Sequence, residues 1–321
     1  MAFNNHVLNG YSEVLNRYNL ATNGAFRIHQ RGTFGSWGTA IKENDYIADC
    51  WFCEAQEFDW CEAISDGSRL GFAGEGRKGQ SIVLKNKDIK EVSRAHSSFD
   101  IGITAAVIGY SYTNDVQITC KPRHYSGSIN ARYTRRPIAR AQDRGLNYSA
   151  STFFPVEAVY ALETTPESFN NRPEIVCKLM NDGPFKFYLH SFREFPGLFR
   201  NPPTFAPVAY SEELTRCERY YQIGRFISNV PLRQNGSSMV GYAWSPLRTT
   251  MNGTPSYSTS NLAVTLYQNA ENGTGQTLSD TGWSVSTTLG YNNGVQLEFN
   301  KSSVVANRSF GYFTLQWVAE V

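Results

Sequence analysis

The chain has 321 residues and a net charge of +2, so it is long enough for two cores and lacks the concentrated basic surface that nucleic acid demands. Charged residues make up only 18% and aromatics 14%, with 26 Gly, a balance that suits a turn-rich all-β protein. No apolar run approaches the roughly 18 residues of a membrane helix, and six cysteines are too sparse for a disulfide scaffold, which points to free thiols.

At the start of the chain, Met1 to Asn9 has neither the basic opening nor the apolar core of a secretory leader. Synthesis in a reducing cytoplasm is therefore expected, and the sequons at Asn147, Asn235 and Asn252 read as turn chemistry. Val7, Tyr11, Val14 and Tyr18 fall at heptad spacing, interrupted by Gly10. So short a helix either docks on a partner chain or packs on its own domain, and the spacing admits both. From about residue 40 to 205, alternating runs predict antiparallel strands over 81–85, 101–107, 116–120, 156–162, 174–180 and 185–192.

Residues 211–222 predict the one well-marked helix. Ser211 can cap it, Glu212 and Glu213 suit the positive end of its dipole, and Leu214, Cys217 and Tyr221 share a face. Strand patterns resume over 223–229, 239–244, 261–268, 283–288, 295–300 and 308–318. Asn235-Gly236, Asn252-Gly253, Asn272-Gly273 and Asn293-Gly294 supply hairpin signals, because both residues tolerate positive φ. The expected organisation is an attachment segment over 1–40, a jelly-roll-like β domain over 41–210, a helical connector over 211–222 and a β-sandwich tip over 223–321.

Few constellations carry chemistry. Gly74, Gly76 and Gly79 match the letters of a dinucleotide loop, but a strand-like run follows where a helix N-terminus would have to hold pyrophosphate. Cys50, Cys53 and Cys61 lack a nearby fourth ligand and read as buried thiols, not a zinc site. Eight carboxylates crowd 43–66: Glu43, Asp45, Asp49, Glu54, Glu57, Asp59, Glu62 and Asp66. A glycosidase would need two of them paired in a cleft; a solvated face, or a complement to Arg132, Arg135, Arg136, Arg140 and Arg144, is favoured. The five histidines are scattered, so no catalytic residue, metal or cofactor is expected. Aromatics near turns can stack on sugar faces while Asn and Ser donate to hydroxyls. Trp244 and Trp283 read as strand core, whereas Tyr257 and Tyr291, with Tyr242 and Asn293 beside them, are the candidate ligand-binding residues.

Four stretches resemble a known family. Asn19, Asn23, Gly24, Phe26, Ile28, Gln30, Arg31 and Gly32 fit N-x-x-x-N-G-x-F-x-I-x-Q-R-G. Tyr46, Ala48, Asp49 and Trp51 echo Y-x-A-D-R-W, with Cys50 in place of the Arg. Glu213, Leu214, Cys217, Arg219, Tyr220, Tyr221 and Gln222 fit E-L-x-x-C-x-R-Y-Y-Q, and Pro231-Leu232-Arg233 and Pro246-Leu247-Arg248 are like a P-M-R turn. In this order the motifs are similar to those of tail-fibre and related appendage proteins of bacteriophages and prophages, and residues 53–205 show no match. The resemblance implies a homotrimeric virion component, a tail fibre or fibre tip. It would attach to other tail proteins and bind a host glycan or receptor through C-terminal loops, with the motif residues as scaffold. Alternatives are a structural adaptor or capsid decoration, with the acidic and basic segments as subunit contacts, and a polysaccharide depolymerase acting through acids such as Asp59 and Glu62.

Overall fold

Apolar residues at every second position turn most of this chain into strands with one buried face. The structure, a computed structural model, describes residues 19–31, 40–65, 69–87, 103–123, 138–139, 155–161, 172–196, 208–268, 277–291, 293–303 and 308–321. Packing divides the chain into two units, 1–214 and 215–321.

In the first unit the strands are β1 (Tyr46–Ala48), β2 (Trp51–Gln56), β3 (Trp60–Ser65), β4 (Leu70–Gly76), β5 (Ser81–Asn86), β6 (Ile103–Ser111), β7 (Val116–Lys121), β8 (Ile138–Ala139), β9 (Pro155–Ala161), β10 (Glu174–Leu179) and β11 (Gly183–Pro196). They pair into two sheets, ordered β1-β2-β5-β10-β7-β8 and β3-β4-β11-β6-β9. Val116, Ile118 and Cys120 on β7, and Ile175, Cys177 and Leu179 on β10, all point inward, with half-exposed or exposed residues between them. Rings from both sheets fill the same core, where Trp51 of β2 meets Phe192 of β11 edge-on at 5.1 Å. The result is a jelly-roll-like sandwich.

Residues from 19–31 pack into this core. Ala21, Phe26 and Ile28 are buried with it, and Leu20 N–H donates to the Glu194 carbonyl at 2.9 Å. Val7, Tyr11, Val14 and Tyr18, and the N-terminal helical segment they would form, lie outside the described residues; so do Arg132, Arg135, Arg136, Arg140 and Arg144.

Helix α1 (Tyr210–Glu218) spans the unit boundary and is shorter than expected. Glu213 N–H donates to the Ala209 carbonyl, which places Ser211 inside the helix instead of at its cap. Donation from Tyr220 N–H to the Cys217 carbonyl closes the helix, and Tyr221 is already in strand, paired with Glu320.

The second unit contains β12 (Tyr221–Asn235), β13 (Ser238–Pro246), β14 (Ser256–Gln268), β15 (Thr277–Asp280), β16 (Trp283–Tyr291), β17 (Gly294–Lys301) and β18 (Arg308–Glu320), in the order β15-β14-β18-β12-β13-β17-β16. Strand β12 pairs with β18 as far as Pro231 and with β13 from Leu232 onward. Proline has no N–H to continue a ladder, which suits it to this change of partner. Pro231-Leu232-Arg233, expected as a turn, is therefore a crossing point within one strand. The two halves of the sheet pack face to face around Phe299 and Phe313, whose centroids are 4.2 Å apart. Asn235-Gly236 makes the expected hairpin, with Gly236 at φ 61, and Gly294 opens β17 after Asn293. Asn272-Gly273 lies outside the described residues. The protein is all-β, two sandwich units with one short helix among the described residues.

Candidate functional site

Strand parity on β13 and β17 creates the site. Val295, Leu297 and Phe299 are fully buried, so Gln296 and Glu298 between them face outward. Directly opposite on β13 stand Trp244, paired with Gln296, and Tyr242, paired with Glu298. Trp244 is 47% exposed and Tyr242 37%. Ser286 on β16 pairs with Glu298, and Ser284 with Asn300. From β12, the Arg233 guanidinium lies 5.1 Å from the Tyr242 ring centroid, a cation–π contact.

Trp244 rests against Gly294. A Cβ at that position would come within 2.2 Å of the indole, so only glycine admits the ring there. One side of the indole is thus held by the sheet, and the exposed remainder forms a platform. The face combines two rings with carboxamide, carboxylate, hydroxyl and guanidinium groups. Such a set can stack on the apolar face of a sugar and exchange hydrogen bonds with its hydroxyls.

Among the residues predicted from sequence, Tyr242 lies in this face. Tyr257 is half-buried at the edge of the second core, and its hydroxyl donates to the Gly294 carbonyl at 3.0 Å. Burial pushes its phenol up to about 12. Its hydroxyl is thereby committed to backbone at the edge of that core and not to solvent. Tyr291 ends β16 in register with Gly294, and Asn293 is exposed with its carbonyl accepting from Leu247 N–H at 3.0 Å. Trp283 is core as expected, edge-on to Phe313 at 5.1 Å. Trp244 corrects the expectation of a core residue. Ala243 and Ser245 take the inward positions on β13, and Trp244 shares the outward parity of Tyr242.

The other candidates resolve into scaffold. Gly74 and Gly76 lie in β4, and the N–H groups of Arg77 and Lys78 donate to Gln80 Oε1 and Asp182 Oδ1, both at 2.6 Å, in a turn that leads into β5. Of the acids, Asp45 accepts from Lys42 N–H at 2.8 Å, Glu54 pairs with Lys85, and Glu57 accepts from the N–H and hydroxyl of Ser81. Asp59 faces Arg77 at 3.8 Å, while Glu62 lies on the edge strand β3. All six cysteines are buried thiols outside any disulfide; burial pushes the Cys53 thiol up to about 12 and raises those of Cys61 and Cys177 as well. Among the described residues no group of His, Cys, Asp or Glu could hold a metal.

The motif residues converge instead on backbone. Asn23 Oδ1 accepts from the N–H groups of Arg27 and Ile28, and its Nδ2 donates to the carbonyls of Ile28 and Asp49. Its own N–H donates to Glu213, and its carbonyl accepts from the Trp51 indole at 3.1 Å. A Cβ on Gly24 would sit 2.3 Å from the Phe192 carbonyl oxygen. Phe26 packs at 5.2 Å on Trp51, Gln30 N–H donates to Asp49, and the Arg31 guanidinium covers Tyr46 at 3.7 Å. In the second unit Arg248 binds Glu218 at 2.8 Å and the Ile223 carbonyl at 2.9 Å, and its N–H donates to Gln222. Cys217, Tyr220 and Tyr221 are buried, and the Arg219 carbonyl accepts from Asn252 N–H; Leu214, the last residue of the first unit, is half-buried.

The fold and this face define an all-β protein with a polar, aromatic sheet surface. No family model matches the chain, and no curated protein does. Among solved structures, discoidin II of Dictyostelium discoideum is similar at 11% identity over 94% of this chain and 93% of that one, with a TM-score of 0.22. The N-terminal CBM22-1-CBM22-2 tandem domain of Paenibacillus barcinonensis Xyn10C is similar at 10% identity over 90% and 92%, with a TM-score of 0.26. At those scores neither likeness bears on what this chain does.

Proposed function

We propose that the chain is a bacteriophage virion appendage, a tail fibre or fibre tip, that binds glycans of the host surface through the outer face of β12, β13, β17 and β16. The observation that carries the glycan-binding half is the Trp244 platform on Gly294 with Tyr242, Gln296 and Glu298 around it. The appendage half is supported by the four sequence motifs, whose residues hold the scaffold together and leave the sheet face available for recognition. A homotrimer joined to other tail proteins would present three such faces. Each aromatic contact contributes only about 0.5–1.5 kcal/mol beyond burial, so useful attachment comes from several copies acting together. The function needs neither catalysis nor a cofactor.

Sedimentation with envelopes of candidate host bacteria tests this. Wild-type protein should pellet with them and be released by their purified polysaccharide, whereas Trp244→Ala should stay in solution with an unchanged melting temperature. If Trp244→Ala leaves envelope binding intact, or instead dissolves an oligomer of the protein, the face is not a glycan site.

A further inference from the structure

The outer face is laid out as a row of similar rungs. Trp244 with Gln296 forms one and Tyr242 with Glu298 the next, and same-face rungs along a strand repeat about every 6.8 Å. Beyond Tyr242 the exposed row stops, because Val240 opposite Asn300 is buried; Arg233 stands beside Tyr242 at that end, and Ser284 and Ser286 border the row from β16. At the two ends of the row, Asn235 and Pro246 are both exposed. Each of the first two rungs offers a ring for stacking and, on the neighbouring strand, an acceptor for hydroxyls: the Gln296 carboxamide oxygen or the Glu298 carboxylate.

Resting on the glycan-binding function above, we infer that this face holds an inner stretch of an extended polysaccharide, running along β13 with neighbouring sugars over Trp244 and Tyr242. A site for a chain end surrounds one terminal unit in a concave pocket whose polar groups read its extra hydroxyl. Two like rungs side by side, with Arg233 and Asn235 exposed past one end and Pro246 past the other, place similar partners under consecutive units and make no demand on the termini.

The probes are smooth lipopolysaccharides and capsular polysaccharides, each with its own fragments of one to six sugars from partial hydrolysis, titrated calorimetrically into the full chain. Affinity should rise about tenfold for each ring engaged, from one sugar to two or three, and then level off. Reducing the fragment's terminal sugar should leave it unchanged. Tyr242→Ala should remove one step of that rise, with melting temperature confirming the fold. Binding that requires Trp244 but is as tight for one sugar as for six, or that is lost when the chain end is reduced, overturns the extended-chain assignment while leaving glycan binding intact. Binding to none of the chains, or binding indifferent to Trp244, overturns both.

Discussion

Asn23 shows how much one side chain can hold. It is fully buried, sits at φ 55, and its amide group meets four backbone groups across the 19–31 segment and β1–β2 turn. Each buried polar group left without a partner costs about 1–3 kcal/mol, so Asn23→Ala should destabilise the first unit by at least about 3 kcal/mol, measured by urea unfolding. The Arg123–Glu194 pair is a second such point. Both side chains are fully buried, joined at 2.8 Å, and Arg123 also donates to the Leu20 carbonyl. Removing one partner of a buried pair strands the other charge, so Glu194→Ala should cost about 3–5 kcal/mol. An effect below about 1 kcal/mol in either variant would show that these groups reach water. The sequence marks Asn23 and Gly24 only by resemblance, because the groups they satisfy lie far along the chain; Phe192, which Gly24 abuts, is the extreme case.

Strands were legible wherever alternation was clean. β17 reads directly as Val295, Leu297 and Phe299 inward, because apolar and polar residues alternate without a break. β13 does not, since Tyr242, Ala243 and Trp244 are all apolar-bodied and either parity could face the core. Only the register against β17 assigns Trp244 to the surface, and register between strands more than 40 residues apart leaves no local mark. The helix was legible in position but not in length, because Tyr221 and Gln222 suit a strand as well as a helix end and the β18 ladder claims them. The β12–β13 hairpin gives a test at this scale. Gly236 has φ 61, and nothing lies within 4 Å of where its Cβ would stand, so Gly236→Ala meets no clash and carries only backbone strain. It should lower stability by about 1–2 kcal/mol in denaturant titration and leave polysaccharide binding unchanged.

For the whole molecule, the buried thiols set an alkaline limit. Cys53, Cys61 and Cys177 have thiols raised above the ordinary 9.0, the first to about 12, with burial as the leading cause. A thiol that holds its proton more tightly when folded contributes stability that is fully present below the unfolded value of 9.0. That contribution is lost as pH rises above 9.0 and the unfolded chain ionises first. Unfolding free energy should therefore fall steadily from pH 9 toward pH 11, by up to about 1.4 kcal/mol per pH unit for each thiol, and a Cys53→Ala variant should fall less steeply. The six cysteines should likewise resist a thiol reagent at pH 8 until denaturant is added; rapid labelling of the native protein would contradict their burial.

The proposed glycan site places recognition on the outer sheet face and not at the loop tips. Affinity electrophoresis of wild type, Trp244→Ala and Tyr257→Phe through gels cast with host polysaccharide tests it most directly. Retardation of wild type and Tyr257→Phe alike, with Trp244→Ala running free, is the predicted result. Retardation that survives Trp244→Ala but disappears in Tyr257→Phe would contradict it.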